Sequence, residues 1–174
     1  IRFGRTSFGS MDPGLFEAVW QGATMGGAGT ADGSGVVRGT IRAPGGGMVD
    51  VETRIRPDQG GAHFTYTLTP RSAIRLNSLH VAIGVPAALL AGGSYVADGE
   101  TGAFPVQFRD IHLRSQPTSV LTMKSASGAE MTLAFDAPTP VLLQDDRQWG
   151  PSFSIRIGPQ LDAADAWPAG RALN

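Results

Sequence analysis

The sequence contains no cysteine, only three histidines and no long uncharged hydrophobic run. Without cysteine, disulfides, thiolate zinc sites and a cysteine nucleophile are excluded. No apolar run approaches the ~20 residues that a membrane-spanning helix needs. The formal charge of -1 leaves no broad cationic field of the kind that non-specific nucleic-acid binding uses. We therefore expect a soluble, globular chain whose partners are neither membranes nor nucleic acids.

The length and composition predict one domain followed by a short tail. With 174 residues, 41% of them hydrophobic and 17% charged, the chain can bury a sizeable core. Residues 161–174 are alanine-rich and follow Gly158-Pro159, which is typical of a tail or linker. The predicted organisation is a β-domain over residues 1–158 and a tail over 159–174. Trp167 is expected to anchor the tail to the body or to a neighbouring domain.

Short apolar runs separated by turn residues predict many short strands. The chain has 24 glycines and 12 prolines spread between these runs. Residues 48–56 and 62–69 alternate between apolar and polar side chains, and the turn residues between them favour an antiparallel hairpin. Further strand-like runs are residues 36–42, 78–85, 104–108, 120–124, 131–136, 141–144 and 153–157, with residues 1–8 as another candidate.

Nine or ten such strands, each with one apolar face, favour two antiparallel sheets packed face to face. We predict an all-β fold, an antiparallel β-sandwich of the jelly-roll type, with a closed barrel as the competing solution. At most short helices are expected, at residues 12–20 and at residues 86–90. The glycine-rich residues 22–35 are interpreted as a loop.

No sequence motif indicates catalysis or metal binding. The Gly33-Ser34-Gly35 stretch lacks the spacing of a hydrolase nucleophile turn, and no glycine-rich stretch ends as a phosphate loop does. The three histidines are not spaced as metal ligands, and the four glutamates show no pairing along the chain. We therefore assign no catalytic or metal-binding residue and expect no catalytic activity in this domain alone.

The segment richest in charged side chains follows the predicted strand at residues 141–144. Here Asp145, Asp146 and Arg147 stand next to Trp149. As a binding site, the indole would stack on the apolar face of a sugar while the charged groups contact hydroxyls. As a structural element, Arg147 would pair with a nearby carboxylate and Trp149 would cover the core. We favour the structural interpretation, with one edge of the segment still available to a ligand.

Several stretches resemble a known class of domain. In chain order they are residues 80–86 (HVAIGVP), 91–99 (AGGSYVADG), Phe104-Pro105, 133–138 (LAFDAP), 141–150 (VLLQDDRQWG) and 153–157 (FSIRI). This order is similar to the accessory β-sandwich regions of large bacterial glycoside hydrolases that degrade plant or algal polysaccharides. The resemblance covers about half of the chain and implies a non-catalytic domain beside a catalytic one, outside the cell or in the periplasm.

The leading hypothesis is a carbohydrate-binding or carbohydrate-associated module whose partners are a polysaccharide and a neighbouring catalytic domain. Its alternative is a structural spacer that braces the catalytic domain without binding sugar. The candidate ligand-binding residues are Trp149, Tyr95, Trp20, Asp145, Asp146 and Arg147. No cofactor is predicted, with calcium near Asp145-Asp146 or Asp98 as the alternative, since carboxylates suit that ion.

Overall fold

Antiparallel strands make up nearly all of the regular structure. A computed structural model describes residues 10–16, 20–22, 24–29, 33–42, 46–76, 78–158 and 166–174, with side chains from residue 33 onward. The elements are β1 (Ser10–Phe16), β2 (Trp20–Gly22), β3 (Thr24–Gly29), β4 (Gly35–Arg42), β5 (Met48–Asp58), β6 (Gly61–Pro70), β7 (Ser78–Pro86), α1 (Ala87–Leu90), β8 (Ser94–Ala97), β9 (Glu100–Ala103), β10 (His112–Lys124), β11 (Glu130–Asp145) and β12 (Ser152–Ile157). Among the described residues, no helix has the length and the apolar character needed to cross a membrane.

The strands belong to two antiparallel sheets, which confirms the predicted all-β class and is consistent with a β-sandwich. The described residues also divide into two compact units. Unit 1 holds the described part of residues 12–80 together with 166–174, and unit 2 holds residues 81–158 with residues 10 and 11. Each unit has its own cluster of buried hydrophobic residues.

Unit 1 contains the sheet β3-β4-β5-β6. Strands β5 and β6 form the predicted hairpin, in which Asp58 pairs with Gly61 across a turn that places Gly60 at a φ of 85°. Alternation along β5 buries Val49 and Val51 and leaves the intervening residues on a wet face, as the sequence predicted. The buried cluster consists of Ile41, Val49, Val51, Leu68, Ile74, Leu76, Leu79 and Trp167.

The C-terminal residues 166–174 pair with unit 1. The backbone of Trp167 exchanges hydrogen bonds of 2.8 and 3.1 Å with that of Ile74, and Leu173 exchanges two of 2.9 Å with Leu68. The Trp167 indole is buried and donates its Nε1–H to the carbonyl of Arg171 at 2.7 Å. Trp167 therefore anchors this segment to unit 1, as one of the two interpretations from sequence expected.

Unit 2 contains six neighbouring strands in the order β7-β12-β11-β10-β8-β9. The longest pairing joins β10 to β11, and register shifts near Arg114 and Val120 let these long strands bend. Inside the unit, Phe104 makes edge-to-face contacts with Tyr95 and Phe153, at centroid distances of 5.4 and 5.1 Å. The sequence predicted two strands, at residues 131–136 and 141–144, where the chain forms the single strand β11.

Three local predictions are wrong and one falls outside the described residues. Residues 12–20 do not start a helix, because β1 pairs instead with β2, and the glycine-rich stretch contains β3, which pairs with β4. Residues 104–108 form no strand: Phe104 enters the core, and the residues after it form an irregular loop. In each case long-range pairing or burial outweighs the local pattern. The candidate strand at residues 1–8 lies outside the described residues.

A two-residue turn at Asp98 and Gly99 joins β8 to β9. Both residues have positive φ angles, 48° and 90°, as a type I′ hairpin turn requires. The Asp98 carboxylate accepts the backbone N–H groups of Ser119 and Val120 at 2.9 to 3.1 Å. These hydrogen bonds lower the pKa of Asp98 below its usual value of 3.8, and the bond from Ser119 has the largest effect.

The lowered pKa of Asp98 predicts an acid-dependent contribution to stability. Because the folded pKa lies below the unfolded value of 3.8, the stabilisation is present above that value and is lost as the pH falls through the folded pKa. In Asp98→Asn, the deficit in melting temperature relative to the parent chain should be largest near neutral pH and should shrink in acid. Thermal unfolding between neutral pH and strong acid measures this, with Asp136→Asn on the exposed part of β11 as control. A deficit that is constant with pH would contradict the assignment.

The Tyr95 ring lies directly over Gly102, its cross-strand partner in β9. A Cβ atom at Gly102 would overlap the ring, so Gly102→Ala should destabilise the fold by about 1–3 kcal/mol. Gly61→Ala is the matched control, because Gly61 is also a strand residue and its Cβ would meet open space. Denaturant unfolding of both variants measures the two costs, and equal costs would contradict the packing argument.

Candidate functional site

The turn between β11 and β12 presents a tryptophan to solvent. The carbonyl of Asp146 accepts the backbone N–H groups of Trp149 at 2.8 Å and Gly150 at 3.0 Å, and the Asp146 N–H donates to the carbonyl of Ser152 at 3.0 Å. These bonds close the turn, and the Trp149 side chain is left 66% exposed. The expectation that Trp149 covers the core is therefore wrong.

A buried ion pair fixes the start of this turn. Arg147 donates from Nε to Oδ1 of Asp145 at 2.8 Å and from Nη2 to Oδ2 at 2.6 Å, which is the two-pronged geometry of a guanidinium on a carboxylate. Asp145 is fully buried at the end of β11, while the Arg147 side chain is 15% exposed. The hydrogen bond that Arg147 donates to Asp145 is the main cause that raises the pKa of Arg147. The pair is the structural arrangement that the sequence interpretation favoured.

The same arginine holds a loop, residues 104–111, against the turn. Nη1 of Arg147 donates to the carbonyl of Val106 at 2.6 Å, and Nη2 donates to that of Pro105 at 2.9 Å. The guanidinium also lies 4.8 Å from the ring centroid of Phe153, a cation–π distance. At the far end of the loop, the carbonyl of Ile111 accepts the backbone N–H of Asp145 at 2.7 Å. Asp145 and Arg147 are therefore committed to internal contacts.

Asp146 is also held by neighbouring side chains. Its Oδ1 accepts Nε2 of Gln144 at 2.7 Å and lies 3.8 Å from Nη2 of Arg156. The Asp146 side chain keeps 18% of its surface exposed. Of the three charged residues proposed from sequence, Asp146 thus combines structural contacts with some access to solvent.

Exposed apolar side chains flank the turn. Val106 is 72% exposed and Phe108 is 42% exposed, both on the loop that Arg147 holds, and Trp149 is on the turn itself. We call Trp149, Val106 and Phe108 the apolar rim. Sequence reasoning missed the two loop residues because their alternation was interpreted as a strand with one buried face. The signal that could have found them is the pair Pro105 and Asp110, since both residues disfavour strands.

Of the other two predicted aromatic platforms, the structure describes the side chain of Tyr95. Tyr95 lies on the predicted short strand, β8, but it is only 8% exposed, and its hydroxyl donates to the carbonyl of Leu113 at 3.2 Å. Burial raises its pKa. Tyr95 is therefore a core residue and unavailable for stacking. Trp20 lies on β2, and its side chain is outside the described residues.

The carboxylates near the predicted calcium positions are already engaged. Asp145 faces Arg147, and Asp98 accepts backbone N–H groups. Across the described ranges, no three residues among histidine, cysteine, aspartate and glutamate gather as metal ligands would. The choice between no cofactor and calcium stays a prediction.

Comparison with known protein families, with curated proteins and with solved structures finds no match to this chain. The likeness to accessory regions of glycoside hydrolases therefore stays a hypothesis.

Removing the charge of Asp145 should destabilise unit 2. In Asp145→Asn the Arg147 guanidinium loses its carboxylate while it remains largely buried, so we expect a loss of about 2–3 kcal/mol in the free energy of unfolding. Asp136→Asn, the same change at an exposed position of the same strand, should cost little. Denaturant unfolding compares the two, and a loss at Asp145 as small as at Asp136 would contradict the proposed role of the pair.

Proposed function

We propose that this chain is a non-catalytic carbohydrate-binding module of a polysaccharide-degrading enzyme, with Trp149 as its sugar-stacking residue. The observation that carries the proposal is the exposure of Trp149, 66%, on a turn closed by three backbone hydrogen bonds and tied down by Arg147. Tryptophan is usually mostly buried, so a large indole displayed at a fixed turn indicates contact with a partner.

Sugar rings suit this surface because they combine apolar C–H faces with polar rims. The indole provides a flat apolar area that loses little conformational freedom on binding, and the held turn lowers the entropic cost further. Val106 and Phe108 add exposed apolar area on the loop that Arg147 holds, and the accessible part of Asp146 supplies hydrogen-bond acceptors. The arrangement favours a module with a modest affinity for single sites that gains from linkage to a second binding or catalytic domain.

The chemistry of the turn supports binding over turnover. Glycoside hydrolysis uses two carboxyl groups that face each other across the sugar, with one of them able to exchange a proton. Both oxygens of Asp145 accept hydrogen bonds from Arg147, so this carboxylate stabilises the fold. The resemblance stated above supplies the remaining parts of the proposal: a neighbouring catalytic domain, a bacterial source and an extracellular or periplasmic location.

The alternative is a structural spacer, which one observation favours. Three of the six residues proposed as ligand contacts have structural roles: Asp145 and Arg147 bond to each other, and Tyr95 is buried in the core. In that case the apolar rim would contact the neighbouring catalytic domain. The two functions differ in what Trp149 touches, and binding measurements on the isolated chain separate them.

Trp149→Ala should weaken glycan binding about tenfold or more, because the stacking contact and its buried area are lost. Affinity electrophoresis and calorimetry against xylan, β-glucan and cellulose measure the effect. Trp149→Phe should keep part of the affinity, since it retains an aromatic face. Val120→Ala is the matched control, because Val120 is an exposed hydrophobic residue of β10 outside the turn and the loop.

The melting temperature of Trp149→Ala should stay close to that of the parent chain, because the indole is mostly exposed. Binding of no glycan by the parent chain would favour the spacer. Binding that Trp149→Ala leaves unchanged would remove Trp149 from the site.

A further inference from the structure

One face of the sheet in unit 1 carries arginines and threonines around two carboxylates. Cross-strand pairing places Arg38 opposite Glu52, Thr40 opposite Asp50, and Asp50 and Glu52 opposite Thr69 and Thr67. We call Arg38, Arg54, Arg71, Thr40, Thr67 and Thr69 the arginine–threonine face. With the exception of Arg54, these residues line a shallow depression of about 610 Å³ together with the two carboxylates.

Glu52 holds two of these arginines in place. Its Oε2 accepts Nε and Nη2 of Arg38 at 2.8 and 2.7 Å, and its Oε1 lies 2.6 Å from Nη2 of Arg54. The hydrogen bond from Arg38 is the main cause that lowers the pKa of Glu52. The two arginine side chains nevertheless remain 67% and 59% exposed.

Asp50 holds the third arginine. Arg71 donates from Nε at 2.9 and 3.0 Å to the two carboxylate oxygens of Asp50 and from Nη2 to Oδ1 at 2.7 Å, and Thr40 donates to Oδ1 at 3.2 Å. The Arg71 side chain is 53% exposed. The hydrogen bond from Arg71 is the main cause that lowers the pKa of Asp50.

The carboxylates position the guanidinium groups without neutralising all of them. Three arginines surround two carboxylates, and the same face continues to the exposed residues Arg42 and Arg56, with Asp58 at its end. A guanidinium has five N–H donors in a planar fork, so a partner carboxylate uses only part of its capacity. The face therefore offers oriented cationic donors beside hydroxyl groups.

We propose that the arginine–threonine face binds an acidic polysaccharide. The carboxylates of uronate rings would accept hydrogen bonds from Arg38, Arg54 and Arg71, since guanidinium and carboxylate geometries match. The O–H groups of Thr40 and Thr67 already donate to Asp50 and to the side chain of Asn174. Ring hydroxyls would therefore donate to the threonine oxygens and to the outer lone pairs of Asp50 and Glu52. The inference rests on the proposed function for the class of ligand, and it adds a second surface and a charge preference.

Charge complementarity alone would also suit a nucleic acid, but the aromatic residues of this sheet oppose that choice. Phe64 and Tyr66 pair with Ile55 and Thr53, so they lie on the opposite side of β6 from the threonines. Single-stranded nucleic acids bind by stacking bases on aromatic side chains beside a cationic groove. Among the described side chains on the threonine side of the sheet, the one aromatic ring is that of His63, opposite Arg56 at the far end from Thr69. The residues of the arginine–threonine face itself provide hydrogen-bond donors and acceptors, which favours a hydroxylated, carboxylated chain.

The experiment compares binding of the full 174-residue chain to polygalacturonate and to its methyl ester, which keeps the backbone and removes the charges. Arg38→Gln and Arg54→Gln should each weaken binding to polygalacturonate about threefold to fivefold, as expected for exposed charge-assisted contacts. Lys124→Gln, which removes one exposed charge from unit 2, is the control and should leave the affinity nearly unchanged. Added salt should weaken binding in all cases.

Each outcome decides the inference. Preference for polygalacturonate over its ester, with losses confined to the arginine variants, supports it. No binding, equal binding to the ester, or equal losses in Lys124→Gln would overturn it, and so would tighter arginine-dependent binding to single-stranded DNA. Trp149→Ala separates the two proposals. The variant should bind neutral glycans more weakly if Trp149 is the stacking residue, and it should bind polygalacturonate as tightly as the parent chain does. Melting curves of all variants confirm that they are folded.

Discussion

The buried pair of Asp145 and Arg147 is the interaction on which the proposed site depends. A carboxylate without solvent access is unfavourable unless a partner satisfies both oxygens, and Arg147 does so in the two-pronged geometry. The remaining donors of the guanidinium then bind carbonyls of the neighbouring loop. One side chain thus joins a strand end, a turn and a loop, and the apolar rim follows from that junction.

The two units use arginine–carboxylate pairs in different ways. In unit 2 the Asp145–Arg147 pair is largely buried, and its charges stabilise the fold. In unit 1 the pairs are exposed, so they contribute little stability but orient guanidinium groups toward solvent. The first arrangement displays an apolar aromatic surface, and the second displays a cationic, hydroxyl-rich one. A heterogeneous polysaccharide with neutral and acidic regions would suit both surfaces.

Sequence reasoning predicted the strands well where alternation is strong. Residues 48–56 and 62–69 form the expected hairpin because each run has one face that must be buried. It failed where tertiary packing decides burial: Tyr95 was a candidate platform, but its ring packs over Gly102 of β9 and against Phe104. The Asp145–Arg147 pair was predictable from proximity along the chain. The attachment of the loop was not, since it depends on carbonyls some 40 residues away from Arg147. The exposure of Trp149 was not predicted either, since it follows from the backbone geometry of the turn, which the residue pattern does not specify.

The central claim is that Trp149 contacts the bound sugar. It is tested most directly by NMR, by following the indole N–H signals of the three tryptophans while an oligosaccharide that binds the chain is added in steps. Trp149→Phe identifies the Trp149 signal, and the buried Trp167, whose N–H is bonded to Arg171, serves as the internal reference. The account predicts that the Trp149 signal shifts and saturates with ligand while the Trp167 signal stays in place. A titration that leaves the Trp149 signal unmoved, although the sugar binds, would contradict it.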